Sequence, residues 1–106
     1  MAKFLVRASY TADGAKGVQS AGGTSRRDAV AKMAEGLGGS LESFYFAFGE
    51  TDAYVTIDVP GDTTAAALSL AVAASGTGRI ETVKLLTPAE VDEARGMQTG
   101  YVPPGS

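Results

Sequence analysis

Apolar and polar side chains alternate along KFLVRASY (3–10), with Phe4, Val6 and Ala8 on one side and Leu5, Arg7 and Ser9 on the other. A period of two marks a strand with one buried face. SFYFAF and AYVTID carry the same period: Phe44, Phe46 and Phe48 oppose Tyr45, and Ala53, Val55, Ile57 and Val59 oppose Tyr54, Thr56 and Asp58. Strands are therefore predicted over about 40–48 and 53–59, joined as a hairpin, with Pro60 ending the second. RIETVKLL (79–86) reads as the last strand. Its pattern is mixed, and the reading adopted turns Ile80, Thr82, Lys84 and Leu86 away from the core.

The segments between the strands carry helix signals. In TADGAKGVQSAGG (11–23), Ala12, Ala15 and Val18 keep helical spacing, although Gly14 and Gly17 each cost a helix about 1 kcal/mol relative to alanine. A short helical turn ending at Gly22-Gly23 is expected. Ser25 with Asp28 three residues on forms a capping box for a helix whose apolar stripe is Val30, Met33 and Leu37, ended by Gly38-Gly39. Asp62 is placed to cap the alanine-rich AAALSLAVAAS, which stops at Gly76. In TPAE (87–90), Thr87 is the N-cap, Pro88 the first helical residue and Glu90 the far side of a capping box, so a short helix runs to about Arg95. The remaining GMQTGYVPPGS has no core of its own and is expected to be loose or draped over a neighbour.

The order β-α-β-β-α-β, with helices in both crossovers, predicts an α+β, ferredoxin-like sandwich: a four-stranded antiparallel sheet with helices on one face, plus a short C-terminal helix. A single domain over 1–95 and a Gly/Pro-rich tail over 96–106 follow. Two helices ~10 Å across span about the width of four strands ~4.8 Å apart, so one sheet face is expected to be fully covered and the other bare. If the hairpin closes around Glu50-Thr51, Phe48 lies opposite Ala53, Phe46 opposite Val55 and Phe44 opposite Ile57. Glu-Thr fits a primed two-residue turn poorly, so a four-residue loop is preferred. The bare face then mixes Leu5, Arg7, Tyr45, Tyr54, Thr56, Asp58, Ile80, Thr82 and Lys84. That is too bulky for a purely solvated face and too polar for a dry one. It suits a subunit interface enclosing a pocket, and the competing reading is a monomer with an ordinary amphipathic sheet.

Composition narrows the chemistry. The chain has 106 residues, no cysteine and no histidine. Disulfides, thiolate nucleophiles, thiolate metal sites, haem ligation by histidine and the commonest neutral-pH base are excluded together. No metal or other cofactor is expected, and any catalysis falls to Tyr, Asp, Glu, Lys, Arg or backbone groups. Nine basic residues against twelve acidic ones, net charge −3, speak against nucleic acid as a partner. RNA-binding sheets of this topology carry a basic aromatic signature that is absent here. No stretch approaches the ~18 apolar residues that span a bilayer, and MAKFLVRASY is no signal peptide, so a cytoplasmic protein with no membrane partner is expected.

The ligand-binding candidates are Arg7, Tyr45, Tyr54, Asp58 and Lys84. Asp58 beside Lys84 or Arg7 reads first as a cross-sheet ion pair and second as an acid–base group. Arg26 and Arg27, at a helix start behind Gly22-Gly23, are a possible anion site, although the Walker spacing and its lysine are missing. In the hairpin, Gly49 is expected at positive φ, and Asp52 is expected to close the turn on its own backbone.

Leu37-Gly38-Gly39, the aromatic FYFAF, Gly49-Glu50-Thr51-Asp52, and Pro60 and Asp62 ahead of the alanine-rich helix together resemble the GYD domain family over roughly residues 3–95. The family's hairpin carries Gly-x-Tyr-Asp. Gly49 and Asp52 match it, and Thr51 stands where the tyrosine would be. The resemblance implies a ferredoxin-like domain of the dimeric α/β-barrel kind, implies no reaction, and carries over no catalytic residue. The expected function is a small homo-oligomeric domain, with itself as partner, binding a small organic molecule on the open sheet face or between subunits. Two alternatives stand beside it: a cofactor-free isomerase or oxygenase of the dimeric α/β-barrel kind, and a purely structural or regulatory oligomer.

Overall fold

The computed structural model describes residues 1–105, so Ser106, the last residue of the expected tail, lies outside the described residues. The elements run β1 (Ala2–Tyr10), α1 (Ala12–Ala21), α2 (Gly23–Gly36), β2 (Ser40–Phe46), β3 (Ala53–Val59), α3 (Asp62–Ser75), β4 (Gly78–Leu85) and α4 (Pro88–Arg95). The four strands form one sheet in the order β2-β3-β1-β4, and every neighbouring pair is antiparallel. This is the α+β, ferredoxin-like arrangement with helical crossovers that the order of elements predicts.

The first crossover holds two helices. Thr11 caps α1, its hydroxyl accepting from the Gly14 amide at 3.3 Å. Gly14 costs helix propensity, yet a Cβ there would overlap the Thr77 carbonyl oxygen. Thr77 O also accepts the Thr11 amide at 3.1 Å, so a glycine is what lets α1 lie against the lead into β4. α2 begins at Gly23 behind Gly22, not at Ser25, so the expected Ser25 cap is corrected: Ser25 lies inside the helix. Asp62 is likewise the first helical residue of α3 and not its cap, which is Gly61. Gly76 does end α3 in the left-handed region, at φ 72°. The Thr87–Glu90 capping box of α4 forms in full, with bonds of 3.0 and 3.2 Å.

The core lies between the central strands and the helices. Phe4 and Val6 of β1, Ala53, Val55, Ile57 and Val59 of β3, Val30 of α2, and Ala65 and Leu68 of α3 are all buried and in one cluster. The hairpin pairs Phe46 with Ala53, Tyr45 with Tyr54 and Phe44 with Val55, two residues away from the expected register. An even shift preserves the faces, so the phenylalanine and tyrosine sides are as expected. Phe48 is the exception: it stands in the loop, 105% exposed, and pairs with nothing. A bulge between Leu41 and Ser43 adds Glu42 and carries Leu41 onto the helix side opposite Ile57.

β4 departs from the expected orientation. Ile80 lies opposite Ala8 and packs on the core, Thr82 bonds Ser69 of α3 at 3.0 Å, and Lys84 stands 5.1 Å from the Phe4 ring centre and 2.9 Å from Asp62. These residues point towards the helices, and the open face takes Arg79, Glu81, Val83 and Leu85. Along RIETVKLL either phase mixes apolar with charged residues, so only pairing with β1 sets the orientation. Beyond β4, every residue from Pro88 to Gly105 is exposed and α4 buries none. This arm helps raise the radius of gyration to 16.9 Å, against about 13 Å for a compact chain of this length.

Candidate functional site

The open face is built in cross-strand rows. One runs Tyr45–Tyr54–Arg7–Glu81 and the next Ser43–Thr56–Leu5–Val83. Tyr45 is 71% exposed, Val83 39% and Tyr54 38%, so the aromatic and aliphatic centre of this face is left open by the described residues. Charge lies towards its two ends, in ion pairs and in Arg79 of β4. Lys3 reaches Glu42 at 2.8 Å and Asp58 at 3.0 Å. Arg7 reaches Glu81 at 3.2 Å. The Glu42 and then the Asp58 hydrogen bond hold the Lys3 ammonium above its ordinary pKa.

Of the five sequence-predicted ligand-binding residues, the structure gathers Arg7, Tyr45 and Tyr54 in one row and places Asp58 two rows away on the same face. Asp58 is an ion-pair member, as its first reading has it, but its partner is Lys3 and neither Lys84 nor Arg7. Lys84 lies on the opposite face and is removed from the set. Lys3, Glu42 and Glu81 were missed. Lys3 was legible, since it shares the odd-numbered side of β1 with Leu5 and Arg7. Glu81 required the phase of β4, and Glu42 required the bulge.

The hairpin loop closes one end of this face. The Ala47 amide donates to Asp52 O at 2.8 Å, which leaves Phe48–Thr51 as a four-residue tip with Gly49 at φ 97°. The Asp52 side chain does not bond its own turn. Its carboxylate accepts the Tyr10 amide at 2.8 Å and its amide donates to Ala8 O at 2.8 Å, so it continues the β3–β1 ladder with a side chain. The Ser9 hydroxyl donates to Glu50 O at 2.7 Å. Thr51 is pulled down to 9% exposure, with its hydroxyl 3.5 Å from Arg7 Nη2. Between this loop and the ends of β1 and β4 lies a polar groove of about 340 Å³, lined by Arg7, Ser9, Glu50, Thr51, Arg79 and Glu81 among others.

The helix-covered face is not sealed. An apolar slot of about 50 Å³ remains between α2, α3 and the sheet, lined by Val6, Met33, Phe44, Leu68, Val72 and Ile80, with Tyr10, Arg26 and Thr77 among the polar residues at its border. Its cause is compositional. α3 is alanine-rich and its apolar contacts with the core are Ala65, Leu68 and Val72 alone, too little bulk to close the layer. The two arginines proposed as an anion site separate here. Arg27 is taken by Asp28 at 2.9 Å, whereas Arg26 borders the slot.

An antiparallel β2-β3-β1-β4 sheet with helical crossovers and one open face defines the protein as a ferredoxin-like α+β domain. The chain belongs to the GYD domain family, whose model matches residues 4–94. No curated protein and no solved structure matches it. No helix among the described residues is long and apolar enough to cross a membrane.

Proposed function

We propose that this chain is a small homo-oligomeric binding module that associates through its open sheet face and takes a small organic molecule in the groove beside Arg7. The carrying observation is the uncovered strip of Tyr45, Tyr54, Thr56, Leu5 and Val83, bordered by the Lys3 and Arg7 ion pairs. An apolar centre with a charged rim is how association surfaces are built. Seven residues of four strands make a patch on the order of 20 Å on a side. That is less than the ~800 Å² that each partner gives a standard interface. The reading therefore draws in the hairpin tip, whose Phe48 is otherwise wholly in water.

Binding is favoured over catalysis because Asp58, the carboxylate best placed for proton transfer on this face, is engaged by Lys3. The groove, with Arg7, Arg79, Glu50 and Glu81 in its lining, suits a polar or zwitterionic molecule. In cells a cytoplasmic location accompanies this reading.

Light scattering tests the assembly. The wild-type chain is expected at twice the monomer mass or more, and Tyr54→Glu at the monomer mass with an unchanged far-UV circular dichroism spectrum. A wild-type monomer at millimolar concentration sinks the proposal. A dimer that yields no co-purified molecule by native mass spectrometry, and that fills the groove with its own side chains, would leave the structural oligomer as the better reading.

A further inference from the structure

We propose a second site, independent of the open face. The slot between α2 and α3 binds a small amphipathic monocarboxylate, with the carboxylate on Arg26 and a short aliphatic body among the side chains of the slot. The first observation is the state of Arg26. Its Nε is buried without a hydrogen-bond partner, and its guanidinium pairs with no carboxylate among the described residues. Arg7 Nε is also buried and unpartnered, but the Arg7 guanidinium is already neutralised by Glu81. A charged donor left without an acceptor is costly, and a planar guanidinium matches a carboxylate two bonds at a time.

The second observation is the shape of the cavity. The slot shares Tyr10, Arg26 and Thr77 with a wider cleft of about 270 Å³ between α1 and α2. A molecule can thus enter through the cleft and leave its charged end at Arg26. The slot's volume of about 50 Å³ is room for roughly four water-sized groups. That suits a chain of a few carbons, in apolar surroundings with one charged contact.

The third observation sets the charge. Arg27 is spent on Asp28 and Asp13 also lines the cleft, so a ligand meets a single free guanidinium with one fixed carboxylate elsewhere in the lining. A dianion such as phosphate is disfavoured there, and a single carboxylate is accepted.

Titration of the full chain with butanoate and hexanoate, followed by ¹H–¹⁵N spectra that include the arginine Nε–H region, tests the site. Saturable shifts are expected at Arg26 Nε–H and at amides of α2, with inorganic phosphate at least tenfold weaker. Arg26→Gln should weaken hexanoate at least tenfold and leave 1-hexanol unchanged. Val72→Phe, which fills the slot, should abolish both and serves should Arg26→Gln fail to fold. Unsaturable shifts with both acids, equal affinity of Arg26→Gln for hexanoate, undiminished binding to Val72→Phe, or phosphate binding as tightly as hexanoate would each overturn the assignment. Oligomeric state is read separately, so failure here leaves the open-face proposal standing, and the reverse holds too.

Discussion

The two faces of the sheet are made from the same strands and held by opposite means. On the helix side of β3, Ala53, Val55, Ile57 and Val59 are all but removed from water and have apolar neighbours. On the other side of the same strand, Tyr54, Thr56 and Asp58 sit among paired charges and exposed rings. The buried face gains from area removed from water, roughly 25 cal/mol per Å². The open face gains little from its ion pairs, because exposed pairs are weak and screened by salt. Stability should therefore reside on one face, and recognition is free to vary on the other.

The largest effect should come from hollowing the covered face. Ile57→Ala removes a side chain that is only 1% exposed and is expected to destabilise by about 2–5 kcal/mol, read from urea unfolding. A loss below about 1 kcal/mol would mean that the helices repack freely and that the contrast between the faces is false. Next comes the seam where the hairpin loop meets β1. Asp52→Ala strips the Tyr10 amide of a charged acceptor and should cost about 1.5–3 kcal/mol, with faster hydrogen exchange at Tyr10. A variant with wild-type stability would show that the loop does not lean on this carboxylate.

The smallest effect belongs to the open face. Because Lys3 has its pKa raised by Glu42 and Asp58, its contribution is fully present below the unfolded value of about 10.4 and is lost as pH rises through the higher folded value. Melting curves across that alkaline window should show a slight extra decline in the wild type that Lys3→Met lacks. Parallel curves would remove the ion cluster from the account of stability.

The fold was legible because β1, β3 and the Ser43–Phe46 half of β2 alternate cleanly and because Gly76 and Thr87-Pro88-Ala89-Glu90 punctuate the helices without ambiguity. The face assignment of the hairpin survived a register error because the error was even. Lys84 was misplaced for the opposite reason: β4 has no alternation to read, and its orientation is imposed by β1. The start of α2 was missed because Ser25-x-x-Asp28 imitates a cap, while the true boundary is Gly22 at φ 95°, a backbone property with no side chain to announce it. The apolar slot could not be foreseen by counting helices against strands. Two cylinders cover a four-stranded layer only if both carry bulk, and α3 carries mostly methyl groups.

The extra residue at Glu42 leaves the edge strand obeying two opposite rules of odd and even. Ahead of it an odd-numbered side chain, Leu41, points to the helices; behind it the even-numbered Phe44 and Phe46 do. Deleting that one residue would make the ladder regular, with Leu41 still opposite Ile57 and Ser40 still opposite Asp58, and would deprive Lys3 of one of its carboxylates. A one-residue shortening at this spot would straighten the sheet's edge and remove one charge while both halves of the strand kept their orientation.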